Sequence, residues 1–255
     1  MPYVRNGNVR IHYQVEGHGP PLILHHWSLG SLEGWTDYGY VDRLADDYTV
    51  IAHDVRGHGE SDKPHDPDAY GLESRVNDVV TVLDDLGIER AHFYGYSMGG
   101  WIGFGIHKYA SERFRSVAIG GAHPFAQNMS GLRSLLSMGV EEGPAAFIDR
   151  LYEIDEDFAK RHAAHWREAD FLAQRAAACD RSSLEEILPS IDGSCLILAG
   201  TEDEAFLDAE RACGAIRDGR FKPLRGLDHG AALARSELVV PLLKAFIEEV
   251  ETRRA

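Results

Sequence analysis

The sequence predicts an α/β fold in which a mostly parallel central sheet is covered by helices on both faces. Two observations lead to this prediction. Short, continuous apolar runs alternate with segments whose apolar residues recur at helical spacing over most of the 255-residue chain. A serine flanked by glycines, Gly95-Tyr96-Ser97-Met98-Gly99, also joins one such run to a helix-compatible stretch. Alternation of this kind is typical of parallel strands connected by helical crossovers.

The first part of the chain is expected to form a hairpin followed by two buried strands. Residues 3–16 alternate around a central Asn-Gly-Asn turn, which predicts two antiparallel strands. The apolar face of this hairpin is expected to contain Val9, Ile11, Tyr13 and Val15. The apolar runs at 20–25 and 48–52 predict fully buried strands, with a helix near 40–46 between them. Glycines then punctuate residues 54–62, which predicts a loop.

The next segments continue the alternation through the serine motif. Between Asp68 and Leu86 the apolar residues fall at helical spacing, and Gly87 marks the end of the predicted helix. An apolar and aromatic run from Ala91 predicts the strand that leads into Ser97, and a helix follows at once. The apolar residues of 115–121 then predict another strand.

Between about 123 and 189 the alternation stops, and the chain becomes helical, charged and alanine-rich. Three rings in this stretch recur at four-residue intervals, as expected for one helix face: Phe158, His162 and Trp166. We therefore expect a core domain of residues 1–122 and 190–255, interrupted by a helical insertion of residues 123–189. After the insertion the sequence predicts a strand at 194–200, a helix at 205–216, a strand at 221–224 and an amphipathic helix at 238–250.

Charge and composition argue against several classes of function. The chain has 26 Lys and Arg residues against 41 Asp and Glu, a formal charge of −15, which disfavours nucleic-acid or membrane partners. The sequence contains neither a signal-peptide pattern nor a run of about 18 apolar residues, so we expect a soluble, cytoplasmic protein. The spacing of Cys179, Cys195 and Cys213 indicates neither a disulfide framework nor a zinc site.

The segment around Ser97 matches G-x-S-x-G, the sharp strand-to-helix turn called a nucleophile elbow. A strand that reverses directly into a helix leaves the serine in a strained conformation, so bulky side chains cannot surround it. The helix that begins there points free amides and the positive end of its dipole toward a forming oxyanion. The pattern therefore indicates that Ser97 is a nucleophile.

Polar side chains also crowd the ends of two neighbouring predicted strands. They are His25, His26, His53, Asp54 and His58. Their spacing matches neither H-E-x-x-H nor an H-x-H-x-D-H pattern, so we expect no metal and no other cofactor. We interpret Asp54 and His58 as residues that fix the loop, and Arg56 as a partner for nearby carboxylates or carbonyls.

Four landmarks of the chain resemble those of the α/β-hydrolase superfamily and occur in its order. They are the loop at 26–31, the glycine-rich loop at 54–61, the elbow at Ser97, and Gly200-Thr201-Glu202-Asp203 followed by Asp228-His229-Gly230. The resemblance covers nearly the whole chain except the insertion, which lies where this superfamily carries a cap domain. It implies a catalytic triad of Ser97, Asp203 and His229. The spacing after Gly200 favours Asp203 over its neighbours Glu202 and Glu204.

The resemblance further implies that the backbone amides of Ser28 and Met98 form an oxyanion hole. The superfamily usually has His-Gly-x in the early loop, whereas this chain has Trp27 at the glycine position. If that position needs a positive φ, Trp27 is strained. Alternatively, its indole fills the acyl pocket and narrows the substrate range. The residues expected to line the substrate pocket are Trp27, Tyr96, Phe125, Met129, Leu132 and Trp166.

These features predict a cofactor-free serine hydrolase that acts on a small carboxylic ester or lactone. Ser97 attacks the carbonyl, His229 takes and returns the proton, and Asp203 fixes the imidazole tautomer. A serine at the elbow argues against epoxide hydrolases and haloalkane dehalogenases, which use aspartate there. Carbon–carbon bond hydrolases and perhydrolases share the triad and stay open, as does a non-hydrolytic small-molecule receptor. The sequence indicates no particular oligomeric state.

Overall fold

The computed structural model describes residues 2–191 and 195–253, which form an eight-stranded sheet with helices on both faces. The strands are β1 (Tyr3–Asn6), β2 (Val9–Gly17), β3 (Pro21–His25), β4 (Thr49–His53), β5 (Ala91–Tyr96), β6 (Phe114–Gly120), β7 (Cys195–Gly200) and β8 (Arg220–Leu224). Their spatial order is β1-β2-β4-β3-β5-β6-β7-β8. The pairs β1–β2 and β2–β4 are antiparallel, and the other pairs are parallel. The predicted, mostly parallel sheet is confirmed.

Helices connect these strands and cover the sheet. In the described part of the chain they are α1 (Glu33–Asp37), α2 (Tyr40–Leu44), α3 (Leu72–Asp85), α4 (Met98–Tyr109), α5 (Ser130–Glu141), α6 (Pro144–Ile154), α7 (Glu156–Trp166), α8 (Phe171–Ala177), α9 (Phe206–Gly214), α10 (His229–Ala234) and α11 (Ser236–Thr252). Residues of α3, α4 and α9 pack on one face of the sheet, and residues of α1, α2 and α11 pack on the other. Within the described residues, no helix has the length and apolar character needed to cross a bilayer.

The central strands are buried on both faces, which explains their continuous apolar sequences. In β3, Leu22 and Leu24 belong to the core beneath α1, α2 and α11, whereas Ile23 belongs to the core beneath α3 and α4. Successive side chains of a strand point to opposite faces, so a strand between two helical layers needs apolar residues at every position. The same alternation holds in β5, where Phe93 and Tyr94 face opposite cores.

Several predicted boundaries need correction. Val15 was expected on the buried face but is 40% exposed, in the outer half of β2 where residues 15–17 are all exposed. The helix expected over 68–86 is divided into a 3-10 turn at Pro67–Tyr70 and α3, since Gly71 adopts an extended ψ of 149° between them. The short helices α1 and α10 were not predicted. Ser194, the expected first residue of β7, lies outside the described residues.

Helices α5–α8 are inserted between β6 and β7 and share an apolar cluster of their own. The rings of His162 and Trp166 stack with centroids 5.5 Å apart, and Phe158 contacts both, as the four-residue spacing predicts. The indole Nε1 of Trp166 donates a hydrogen bond to the Leu29 carbonyl at 2.8 Å, which ties α7 to the loop after β3. The helical insertion is confirmed, whereas its bounds at 123–189 stay a prediction.

Trp27 lies at the centre of an aromatic cluster between the loop after β3 and helix α7. Its ring contacts those of Trp35, Tyr38 and His162 with centroids 5.3, 5.6 and 5.9 Å apart, each close to edge-on. Such edge-to-face contacts are favourable beyond the apolar area that they bury. Because only 3% of Trp27 is exposed, its indole is a packing element of this junction.

Neutral, buried histidines occupy the carboxyl ends of β3 and β4. His26 donates from Nδ1 to the Trp27 carbonyl at 2.8 Å and accepts at Nε2 from the Val55 amide at 3.0 Å, an assignment that the bonding pattern requires. Burial lowers the pKa of His26 to about 4 and that of His53 to about 3. The ring of His25 packs edge-on against His53, with centroids 4.7 Å apart.

We expect Trp27→Ala to lower the free energy of unfolding by about 3–5 kcal/mol, because it leaves a cavity beneath the loop. Urea denaturation at neutral pH measures this loss. Trp27→Phe, the matched control, retains an aromatic ring and should lose clearly less. If Trp27→Ala is as stable as the wild type, the cluster does not hold the loop.

Stability should fall as the pH is lowered from 7 to 5. Unfolded histidines bind a proton near pH 6.5, whereas His26 and His53 stay neutral in the folded protein until their pKa values of about 4 and 3. The unfolded state therefore binds more protons across this window, and each histidine contributes a slope of up to about 1.4 kcal/mol per pH unit. Urea denaturation at several pH values should give a shallower slope for His53→Leu than for the wild type. Identical slopes would contradict the assignment of a neutral His53.

Candidate active site

Ser97 joins β5 to α4 in a strained backbone conformation. Its φ is 53° and its ψ is −109°, values that L-residues rarely adopt. A Cβ on Gly95 would lie 2.2 Å from the Gly99 carbonyl oxygen, and a Cβ on Gly99 would lie 2.1 Å from the His25 carbonyl oxygen. The two motif glycines are therefore required by close backbone contacts. The turn is anchored by the Ser97 amide, which donates to the Gly120 carbonyl at 2.8 Å.

The imidazole of His229 is paired with the carboxylate of Asp203. Asp203 follows β7, and His229 follows β8 at the start of α10, where the Asp228 side chain accepts a hydrogen bond from the Ala231 amide. The distance from His229 Nδ1 to Asp203 Oδ2 is 2.7 Å. The side chain of Asp203 is 3% exposed and that of His229 is 47% exposed. The pair therefore combines a buried acid with an imidazole that solvent and ligands can reach.

The environment of Asp203 keeps its carboxylate ionised. Burial alone would raise the pKa of Asp203, but the hydrogen bond from His229 and the bond from the Ala205 amide outweigh burial and lower it. Its neighbours Glu202 and Glu204 are exposed. With Nδ1 of His229 donating to Asp203, Nε2 is left as the acceptor, which is the tautomer a general base needs.

Contacts of His229 place it beside the strand ends from which Ser97 projects. Its ring lies 5.3 Å from the ring of Tyr96, and the Tyr96 hydroxyl donates to the His229 carbonyl at 2.6 Å. A Cβ on Gly121, just after β6, would approach His229 Cε1 to 3.0 Å. The structure thus gathers the elbow, the acid and the histidine at one edge of the sheet.

The loop after β3 is fixed against the start of α4 and against the loop after β4. The carboxylate of Asp54 is buried, accepts from the Leu32 and Glu60 amides at 2.8 and 2.9 Å, and pairs with His12 Nδ1 at 2.7 Å. Arg56 binds Asp78 through two contacts of 2.6 Å. These contacts agree with the interpretation of Asp54 as a loop-fixing residue and of Arg56 as the partner of a nearby carboxylate. His58, the other residue interpreted as loop-fixing, has its Nδ1 3.3 Å from the Arg56 carbonyl oxygen.

The backbone of this loop corrects the expectation for Trp27. Leu29 in this loop has a positive φ of 68°, whereas the φ of Trp27 is not positive. The indole is accommodated by Gly30 and Gly34, where a Cβ would come within 2.8 and 2.6 Å of its ring atoms. Trp27 is therefore not strained in the expected way.

A narrow cavity lies beside the elbow. The proposed oxyanion residues Ser28 and Met98 both line it, as do the predicted pocket residues Met129 and Leu132. Four other predicted pocket residues lie elsewhere. Trp27 and Trp166 belong to the aromatic junction, Tyr96 binds the His229 backbone, and Phe125 packs against the guanidinium of Arg211.

Sequence reasoning missed three polar residues of the cavity wall: Arg75, Gln174 and Arg181. One signal was available, because Arg75 lies at helical spacing from the buried residues Val79 and Val82 and so interrupts the apolar face of α3. Nothing in the local pattern distinguishes the other two. In the described ranges, no group of three His, Cys, Asp or Glu side chains is arranged to hold a metal ion.

Comparison with known proteins identifies the family. Residues 20–181, more than half of the chain, match the family described as the alpha/beta hydrolase fold. The chain is similar to 3-oxoadipate enol-lactonase 1 of Acinetobacter baylyi, with 26% identity over 93% of each chain. It is also similar to a non-heme haloperoxidase of Rhodococcus erythropolis, with 27% identity over 97% of this chain and 100% of the relative.

Solved structures show the same fold. The enol-lactonase from Burkholderia xenovorans superposes with a TM-score of 0.85 at 23% identity and covers 97% of this chain and 100% of its own. An esterase from Exiguobacterium antarcticum superposes with a TM-score of 0.83 at 21% identity, covering 96% and 98%. The family match and these superpositions agree with the strand order and the position of the helical insertion. The chain belongs to the α/β hydrolase family.

Proposed function

We propose that the protein is a serine hydrolase that cleaves a small carboxylic ester or lactone through an acyl-enzyme on Ser97. The observation that carries this proposal is the strained serine at the start of α4, directly after Tyr96, whose ring and hydroxyl contact His229 of the His229–Asp203 pair. A serine hydroxyl is a weak nucleophile at neutral pH unless a neighbouring base removes its proton during attack. The arrangement supplies a half-buried serine at a sharp strand-to-helix turn and an oriented base.

In the first half of the reaction, Ser97 Oγ attacks the carbonyl carbon while His229 Nε2 takes the hydroxyl proton. Asp203 stabilises the resulting imidazolium without accepting the proton itself. The carbonyl oxygen becomes an oxyanion, for which the amides of Met98 and Ser28 are the proposed donors. The Met98 amide is at the first position of α4, where helix amides have no partner within the helix. Collapse of the intermediate passes the proton to the leaving alkoxide.

In the second half, water attacks the acyl-enzyme and His229 again acts as the base. The acid product leaves, and Ser97 recovers its proton. For a lactone, alcohol and acid are parts of one molecule, so the product is a hydroxy acid or its keto tautomer when the alcohol is an enol. No step requires a cofactor.

The relatives support this choice of substrate class. The A. baylyi relative and the B. xenovorans structure are both named as enol-lactonases. The R. erythropolis relative, equally similar over its whole length, is named as a haloperoxidase, so we keep perhydrolysis, with peroxide replacing water in the second half, as the second candidate. We further propose that residues 123–189 form a cap over the site, because Met129 and Leu132 reach the cavity wall from there.

We expect Ser97→Ala and His229→Ala each to lower turnover of p-nitrophenyl esters by on the order of 10³ or more, since the triad acts as a unit. Ester and lactone turnover is measured beside labelling by a fluorophosphonate. Ser111→Ala, an exposed serine after α4, is the matched control and should keep full activity. Labelling of Ser97 without turnover of any ester or lactone would favour a receptor, and near-normal turnover by Ser97→Ala would exclude this mechanism.

We also expect Asp203→Asn to lower turnover by on the order of 10³ or more, because the amide no longer fixes the base-competent tautomer. Its exposed neighbours provide the controls, and Glu202→Gln and Glu204→Gln should stay close to the wild type. Steady-state rates on one ester give the comparison. A larger loss in either glutamate variant would show that the acid is misassigned.

A further inference from the structure

Two buried arginines face the cavity beside the elbow. Arg75, on α3, is 2% exposed, and Arg181, after α8, is 9% exposed. Both line the same cavity as Met98, whose sulfur lies 3.3 Å from Arg75 Nη1. A buried guanidinium is costly unless a carboxylate or another anion compensates it.

The bonds of Arg75 reach neutral groups. Its Nε donates to the Tyr70 carbonyl at 2.9 Å and its Nη2 to the Ala177 carbonyl at 2.6 Å. The nearby carboxylate of Asp78 is already bound by Arg56 through both of its oxygens. Together with the contact to the Met98 sulfur, these bonds use three of the five N–H groups of the guanidinium. None of the three acceptors is a carboxylate.

Arg181 has a similar environment. Its Nη1 donates to the Gln127 carboxamide oxygen at 2.7 Å, and its guanidinium lies 4.9 Å from the centre of the Trp101 ring. The preceding carboxylate, Asp180, is bound by Arg133 and by the Met129 amide. Among the described residues, neither Arg75 nor Arg181 forms an ion pair with a carboxylate.

Both guanidinium groups remain charged at neutral pH. Burial lowers the pKa of each to about 10, and the charge of Arg75 contributes to the lowering at Arg181. The two charges therefore repel each other across a cavity whose described wall contains no Asp or Glu side chain. The imidazole of His58, another wall residue, adds no charge, because burial lowers its pKa well below the usual value.

We propose that this cavity binds a carboxylate at the far end of the substrate's acyl group, held between Arg75 and Arg181. The substrate class is then a half-ester of a short dicarboxylic acid, or a lactone that bears a carboxylate. This identification rests on the proposed function, because it needs the scissile carbonyl at Ser97. Ser28 and Met98 belong to the same wall as the two arginines, so the proposed oxyanion residues and the proposed carboxylate site share one cavity.

The chemistry of the cavity wall suits a carboxylate. A guanidinium presents paired N–H groups that match the two oxygens of a carboxylate. Gln174, 3% exposed, has a carboxamide oxygen without a partner in the described residues, and turning its amide would offer one more donor to the anion.

The test compares two esters of equal chain length, p-nitrophenyl monoglutarate and p-nitrophenyl pentanoate. We expect the wild type to favour the charged ester in kcat/KM by at least tenfold. Arg181→Gln should reduce this ratio at least tenfold, mainly through the KM of the charged ester, because the pentanoate ester has no carboxylate for Arg181 to bind. Arg181→Lys should restore part of the ratio, because it keeps the charge.

Arg167→Gln is the matched control, since Arg167 is exposed at the end of α7, and it should leave both esters unchanged. Circular dichroism verifies the fold of each variant, and Arg181→Met, which also removes the charge, replaces Arg181→Gln if the latter does not fold. Equal kcat/KM for the two esters in a wild type that hydrolyses pentanoate would overturn the carboxylate site and leave the hydrolase intact.

A binding measurement separates the carboxylate site from the catalytic proposal. In Ser97→Ala, calorimetry with glutarate should detect binding that Arg181→Gln weakens at least tenfold, whereas inorganic phosphate should bind more weakly than glutarate. Tighter binding of phosphate, or glutarate binding that does not depend on Arg181, would overturn the proposal. If the wild type hydrolyses neither ester but binds glutarate through Arg181, the hydrolase proposal fails while the carboxylate site stands.

Discussion

The close approach of three backbone segments at the elbow is the constraint on which the arrangement of the site depends. The His25 carbonyl oxygen at the end of β3 lies only 2.1 Å from where a Cβ on Gly99 would be, and the Gly99 carbonyl oxygen lies 2.2 Å from where a Cβ on Gly95 would be. Glycine at both positions lets β3, β5 and α4 meet at backbone contact. The same contact sets the distance between the Ser28 loop and the first amide of α4. The strain of Ser97, of order 1–3 kcal/mol, is sustained because the strands and the helix around it are fully buried.

A second consequence of this contact concerns the large residue that follows His26. The loop cannot move away from the elbow, so the indole of Trp27 must turn toward α1 and the insertion. Gly30 and Gly34 leave the volume that it occupies, and Tyr38 and His162 close the cluster from two sides. Trp27 thereby couples the loop to α7. At a positive φ, Trp27 would strain the backbone. In the observed conformation it instead forms part of the junction between the sheet and the insertion.

Most of the fold could be predicted from sequence because the central strands are buried on both faces and carry uninterrupted apolar runs. The elements that were missed are short: α1 and α10 have five and six residues, too few for a periodic pattern. The residues proposed for the triad follow from motif order along the chain, whereas the cavity wall depends on how the insertion packs. Phe125 and Trp166 were expected to line the pocket as residues of the insertion, yet Phe125 packs against Arg211 and Trp166 bonds to the Leu29 carbonyl. The periodicity of a sequence does not show which side chains line a cavity between elements. Arg75 is an exception, because its charge interrupts the apolar face of α3.

The chain as a whole is negatively charged, whereas the cavity wall carries two positive charges. The distance between an anion and each of these charges determines which has the larger effect. A formal charge of −15 repels an approaching anion, but surface charges more than about 8–10 Å away are largely screened at physiological salt. Inside the cavity, a carboxylate about 4 Å from one guanidinium gains roughly 4 kcal/mol at an effective dielectric constant of 20. Two guanidinium groups that already repel each other gain further when an anion separates them. The acidic surface therefore lowers the association rate of the proposed anionic substrate, while the buried arginines determine its affinity for the cavity.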